Sequence, residues 1–234
     1  MTLKRETRDR LTRCSTASLS SELLLDGYTN VVLEGLSPVA STHMVGTAFT
    51  LRYIPAREDK RQSPVDYDNR KDVQRIAVET VGSGQVLVVD ARGELGAASF
   101  GYILATRLMR RGAAGLVTDG ALRDYKAIAG LEIPVYARGA HAATSSVRHH
   151  AVEMNVPIAC GGVAIFPGDV LVGDFDGVVV IPKAIADDIS KRALARDEME
   201  EFLHEKIDSG ESIIDVYPPS RSVLAEYERY RSEP

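Results

Sequence analysis

Tryptophan is absent from the 234 residues, and cysteine occurs only twice, at Cys14 and Cys160. Without tryptophan, any aromatic stacking platform must come from five Phe and nine Tyr. Two cysteines this far apart make no C-x-x-C and exclude a disulfide framework. Each is expected to be a small core residue, and a reducing cytoplasm is the expected location. No run of about 18 apolar residues occurs, so no membrane-spanning helix is expected. The opening MTLKRETRDRLTR is charged throughout and lacks the apolar stretch of a signal peptide. Basic residues are not in excess: 28 Lys and Arg stand against 33 Asp and Glu, a net charge of −5, which argues against nucleic acid as a partner. With 44% apolar and 26% charged residues the composition is that of a folded globular chain. Its length is expected to give a single domain over residues 1–234.

Several chemistries lack their motifs. There is no G-x-G-x-x-G, and Gly96 and Gly101 have P-loop spacing but are followed by Tyr102 and Ile103 instead of Lys and Ser or Thr. G-x-S-x-G is missing, which removes the nucleophile-elbow hydrolases. His43, His141, His149, His150 and His204 make neither H-x-x-x-H nor H-E-x-x-H, so no zinc site is expected. The pair His149-His150 reads as exposed or as a helix end. Lys126 and Lys183 have no apolar surroundings to depress their pKa and read as solvated rather than as Schiff-base lysines.

What is present is regular. Residues 2–13 read as a charged, frayed helix. Ser15, Thr16 and Ser18 offer N-cap oxygens to a helix through Leu25, ended by Asp26-Gly27. GTAFTLRY at 46–53 alternates as a strand with Ala48 or Phe49 facing inward, the 55–72 stretch is the longest loop, and 73–81 is a helix. QVLVVD (85–90), a helix over 101–111, GLVTD (115–119), a short helical segment opened by Arg123-Asp124, and IPVY within 131–136 make a parallel βαβαβ unit. Short strands at 156–160, 163–166, 170–172 and 178–181 suggest a β meander or small barrel. A long helix over 183–209, closed by Gly210, follows. The fold class is α/β with a substantial antiparallel part.

Two stretches can carry chemistry. Small residues at 96–99 and the free N–H groups of Tyr102, Ile103 and Leu104 at a helix start can hold a carboxylate; a tight loop without a ligand explains the same residues. Asp119-Gly120-Ala121-Leu122-Arg123-Asp124 follows a buried strand, where α/β sheets place ligands. Arg123 offers a planar fork for a carboxylate, and Asp124 a hard oxygen for Mg²⁺ or Mn²⁺. The alternative is a surface arginine and an aspartate that caps the next helix.

From Gly101 to Asp124, GYILAT-x5-G-xx-GLVTDGALRD resembles the signature of the RraA-like proteins. That family includes the 4-hydroxy-4-methyl-2-oxoglutarate / 4-carboxy-4-hydroxy-2-oxoadipate aldolases. The resemblance extends over GTAFTLRY, QVLVVD, VPIACGGVAIFPGDVLVGDFDGVVVIP at 156–182 and GES at 210–212, and it is greatest to members labelled ribonuclease activity regulator RraA. It implies a β/β/α swivelling-domain fold with a central βαβαβ unit, an antiparallel β part and a long C-terminal helix. It also implies homotrimers or homohexamers with active sites between subunits. Carried over residue by residue, it places Arg123 and Asp124 at substrate and metal. Gly101, Tyr102, Ile103 and Leu104 come to the substrate carboxylate, and Glu200 of a neighbour, with Glu201 as the alternative, to the metal waters. Where the aldolases carry Asp or Glu after the helix-opening glycine this chain has Tyr102, and Glu94 is the candidate replacement. Tyr102, Tyr53 and the 55–72 loop are the specificity candidates.

The function so implied is a divalent-metal-dependent retro-aldol cleavage of a 4-hydroxy-2-oxo acid to pyruvate and a second carbonyl product, with oxaloacetate decarboxylation as a side activity. The rivals are a metal-dependent dehydratase or hydrolase of sugar-derived 2-oxo-3-deoxy acids, and a non-catalytic protein-binding regulator of ribonuclease activity.

Overall fold

A computed structural model of the chain describes residues 3–60, 62 and 65–232. Thr2 of the expected opening helix and Arg61, Ser63 and Pro64 of the expected loop lie outside the described residues. Helices α1 (Arg5–Leu11) and α2 (Thr16–Leu25) precede strands β1 (Ser37–Ala40) and β2 (Met44–Pro55) and helix α3 (Val73–Thr80). Next come β3 (Gln85–Asp90), β4 (Ala98–Phe100), α4 (Tyr102–Arg110), β5 (Gly115–Thr118), β6 (Ala121–Leu122), α5 (Tyr125–Ile128), β7 (Val135–Ala137) and β8 (Gly139–Ala140). Strands β9 (His149–Met154), β10 (Ile158–Cys160), β11 (Val163–Ile165), β12 (Val170–Gly173) and β13 (Val178–Ile181) lead to helices α6 (Ala186–Asp208), α7 (Ile213–Val216) and α8 (Arg221–Ser232).

The central sheet runs β1-β7-β5-β3-β2-β12-β13, with β9 also paired to β2. Pairs β3–β5 and β5–β7 are parallel, which is the expected βαβαβ unit, and β2 adds a further parallel strand beside β3. The layers follow from the two-residue period of a strand. Along β3, Leu87 and Val89 join Ala77, Val78, Ala105, Leu108 and Ile128 of the helices. Val86 and Val88 join Ile158, Cys160, Val163 and Ile165 of β10 and β11. Strands β12 and β13 divide in the same way. Leu171, Val178 and Val180 enter the second cluster, and Val170, Val172, Val179 and Ile181 pack with Leu11, Leu19, Leu23 and Ile189 of α1, α2 and α6. A fully enclosed side chain such as Leu87 stabilises the fold by about 1.5–3 kcal/mol.

Four expectations are corrected. The opening helix is docked, not frayed: Leu11 is buried and Thr7 Oγ1 donates to Asp187 Oδ1 at 2.5 Å, because α6 covers it. Strand β2 is buried on both faces from Met44 to Leu51, since the helical layer and the β10–β11 hairpin each cover one face. The last third is not one meander. The β10–β11 ladder stands alone, and β12–β13 joins the central sheet antiparallel to β2. His149 and His150 are neither a helix end nor both exposed: they open strand β9, paired to Ile54 and Pro55 of β2, and His149 is buried. Strand β1 and helices α7 and α8 have no counterpart in the sequence reading. Both cysteines are free and buried, as expected.

Candidate active site

Beyond β3, β5 and β7 the chain makes three more short strands, β4, β6 and β8, which form a small parallel sheet of their own. This sheet sets the site. Phe100 lies in register with Leu122, so Gly101 and Arg123 leave the ladder side by side. The backbone N–H of Arg123 donates to Phe100 O at 3.0 Å. The arginine stem fills the space over Gly101, where a Cβ would stand 3.1 Å from Arg123 Cγ and 3.4 Å from its Nε.

The residues of the DGALRD block divide into builders and presenters. Asp119 Oδ1 accepts the N–H of Ala91 at 2.7 Å and Oδ2 that of Gly93 at 3.0 Å, which fastens the loop after β3. Burial raises the Asp119 carboxyl pKa. Gly120 lies against Ala91 and Ser99, whose Cβ atoms would be 2.7 and 3.0 Å from a Cβ placed there. Ser99 Oγ is bonded to Thr118 Oγ1 at 2.9 Å and donates to Ala121 O at 3.0 Å. On this base Arg123 and Asp124 project with side chains 45% and 47% exposed.

Asp124 stands at the N-cap of α5 in the left-handed conformation, φ 58° and ψ 34°, and its side chain makes no capping bond. Asp124 thus occupies the N-cap position, with its backbone carbonyl accepting from Ala127 and Ile128, while its carboxylate is not used as a cap. A non-glycine residue held there carries about 1–3 kcal/mol of strain, though aspartate tolerates it better than most. The carboxylate turns to its neighbour instead, with Oδ2 3.4 Å from Arg123 Nε.

Helix α4 begins beside this pair. Its N-cap, Gly101, has no side chain to occupy the first-turn amides, so the partly positive helix end is left for a ligand. Gly101, Tyr102, Ile103, Leu104, Arg123 and Asp124 all line one cavity of about 230 Å³. Every residue expected at the substrate carboxylate thus shares a wall with the Arg-Asp pair. Glu200 does not: it lies on α6, 3.8 Å from Arg196 Nη1, and Glu201 is exposed on the same helix. Glu94 is also outside the cavity wall. Its Oε1 accepts the Gly96 N–H at 2.6 Å, and that bond lowers its pKa.

The same cavity is lined by Gln74 and Arg75 of α3 and by Thr144 and Ser145, none of which sequence reasoning singled out. Gln74 is buried, and its Nε2 donates to Tyr53 Oη at 2.5 Å and to Ser99 O at 2.9 Å. Tyr53 in turn lies against the His149 ring, with centroids 5.3 Å apart. A buried glutamine in an otherwise amphipathic helix is the one signal that could have pointed to this wall.

Among the described residues no three His, Cys, Asp or Glu side chains converge on a metal position. A single exposed carboxylate suits an ion such as Mg²⁺, which keeps most of its waters, and not a four-ligand zinc site. Among the same residues no helix is long and apolar enough to cross a membrane.

A family model described as RraA-like, Aldolase/RraA, matches residues 16–180. A protein of Halalkalibacterium halodurans named "Putative 4-hydroxy-4-methyl-2-oxoglutarate aldolase" is 37% identical over 141 residues, 60% of this chain and 67% of that protein. Among solved structures, one from Streptomyces coelicolor is described as an unusual member of the RNase ES inhibitor RraA protein family. It is 31% identical with a TM-score of 0.76, covering 86% of this chain and 97% of that one. Another, from Pseudomonas syringae pv. tomato, is 28% identical with a TM-score of 0.77, covering 91% of this chain and 97% of that one.

Proposed function

The chain belongs to the RraA-like, Aldolase/RraA family, and from that premise we propose that it is a divalent-metal-dependent lyase that cleaves a 4-hydroxy-2-oxo acid to pyruvate and a second carbonyl compound. The observation that carries this reading is the meeting of Arg123, Asp124 and the uncapped first turn of α4 on one cavity of about 230 Å³. That volume is below the roughly 300 Å³ at which pockets for drug-sized ligands begin, so it suits a small metabolite.

The Arg123 fork and the α4 amides take the C1 carboxylate of the substrate. Asp124 would hold Mg²⁺ or Mn²⁺, which when bound supplies Lewis-acid polarisation of the 2-oxo group. The C4 hydroxyl loses its proton, the C3–C4 bond breaks, and its electron pair moves onto the C2 oxygen as an enolate. Protonation at C3 then gives pyruvate. Arg123 stabilises the enolate charge, the kind of electrostatic contribution that is worth most in catalysis. The C4 hydroxyl proton would pass to a water oriented by Glu200 of a neighbouring copy in a trimer or hexamer; within one chain Glu200 is not part of the cavity wall. Oxaloacetate decarboxylation passes through the same enolate and is expected as a side activity.

The test is pyruvate release from 4-hydroxy-4-methyl-2-oxoglutarate and from oxaloacetate, with Mg²⁺ or Mn²⁺ and with EDTA. Chelator-sensitive release is expected from both, and none from either refutes the reading. A second reading, a ribonuclease regulator, is favoured by the likeness to the S. coelicolor structure. It requires tight binding to a ribonuclease that Asp124→Ala leaves intact.

A further inference from the structure

Part of the cavity wall comes from α3 and not from the loops that carry Arg123 and Asp124. Gln74 and Arg75 lie there, and with Thr144 and Ser145 they also line a second cavity of about 310 Å³, so Arg75 stands on the partition between the two. Its guanidinium is held on one side. Nη1 donates to Gln74 Oε1 at 3.1 Å and lies 3.5 Å from Asp72 Oδ2, and Cζ sits 5.5 Å from the Tyr67 ring centroid.

The glutamine contact is not accidental. Gln74 spends its amide donor on Tyr53 Oη and Ser99 O, which leaves its carbonyl oxygen facing Arg75. Among the described residues the Nη2 edge of Arg75 has no hydrogen-bond partner, and the side chain is 38% exposed. A fork positioned in this way loses little rotamer freedom on binding an anion. The charged residues that line the smaller cavity are Arg75, Arg123 and Asp124, with Asp72 pairing Arg75 from outside that wall.

Resting on the reading of this cavity as a 2-oxo-acid site, we propose that Arg75 is a specificity-determining residue that selects 2-oxo acids carrying a second carboxylate at the end distal to C1. Arg123 and α4 hold the oxo-acid end, and Arg75 receives the distal carboxylate through its free edge. Thr144 and Ser145 supply hydroxyl donors on the same wall.

The experiment is calorimetric binding of 2-oxoglutarate and of 2-oxopentanoate in the presence of Mg²⁺. Both have five carbons, they differ at the distal end, and neither has a C4 hydroxyl to cleave. The full-length protein is compared with Arg75→Leu, Arg75→Lys and Arg123→Leu, each checked for folding by thermal melting. The protein is expected to bind 2-oxoglutarate at least about tenfold more tightly than 2-oxopentanoate, the discrimination of one charge-assisted hydrogen bond. In Arg75→Leu the ratio is expected to fall to within about twofold, Arg75→Lys should retain part of it, and Arg123→Leu should weaken both ligands. Equal binding of the two acids by the unmodified protein, or an undiminished ratio in Arg75→Leu, overturns the assignment of Arg75 alone. Failure of the unmodified protein to bind either acid overturns the oxo-acid reading and this assignment with it.

Discussion

Gly101→Ala separates the stability of the fold from the placement of Arg123. A Cβ at position 101 would stand 3.1 Å from Arg123 Cγ, 3.4 Å from Nε and 3.5 Å from Cδ. That is closer than carbon atoms normally pack, so the arginine stem must move by a few tenths of an ångström or swing aside. It can do so cheaply because the side chain is 45% exposed. The backbone accepts the new residue, since φ at Gly101 is −142°. Alanine is a poorer N-cap than glycine by about 0.5–1 kcal/mol, while the reduced freedom of the unfolded chain returns about 0.4–1 kcal/mol. The two terms nearly cancel. At about 2–4 °C per kcal/mol for a chain of this size, Tm should move by no more than about 4 °C. Turnover should fall measurably, because a 1 Å misplacement of a substrate-positioning group costs about 100-fold and a shift of a few tenths of an ångström a fraction of that on a logarithmic scale, about 3- to 10-fold. A thermal melt paired with a coupled assay of pyruvate release measures both. An unchanged kcat/KM in a folded Gly101→Ala protein would refute the claim that this glycine exists to seat Arg123.

Three further outcomes follow from the geometry. Gly120→Ala places a Cβ 2.7 Å from the buried Ala91 Cβ and 3.0 Å from Ser99, with no flexible side chain to give way, so it should cost about 1–3 kcal/mol in a urea melt. Burial lowers the His149 pKa below its ordinary 6.5, while the unfolded chain protonates there normally. The stability contributed by this residue is therefore whole above pH 6.5 and is lost as pH falls through 6.5 toward the folded value. Urea melts at about pH 7.5 and 5.5 should show a smaller acid loss in His149→Phe than in the parent, and equal losses would contradict the assignment. Glu200→Gln should lower pyruvate release while leaving affinity for 2-oxoglutarate intact, and a parallel loss of binding would place Glu200 at the substrate instead of at the proton.

Much of this architecture is written locally. Short continuous runs rich in β-branched residues such as QVLVVD favour buried strands, and the glycine before 102–110 and the DGALRD block name the presenting residues in advance. What escaped is tertiary. HHAVEM carries too weak an alternation to be read as a strand, and His149 is buried through tertiary neighbours distant in sequence, the Tyr53 ring, Ala97 O and Arg92. Strands of two or three residues such as β4, β6 and β8 have no period to detect, although their register is what sets Gly101 beside Arg123. Arg75 sits in a stretch read only as a helix, and the packing of α3 against Tyr53 and Ser99 brings it to the cavity.

The most direct test is magnesium-dependent pyruvate release from oxaloacetate by the unmodified protein and by Asp124→Ala at matched oligomeric state. Release abolished by EDTA in the former, and reduced roughly 100-fold or more in a folded Asp124→Ala protein, is the expected result. Equal, chelator-insensitive release by both proteins would contradict it.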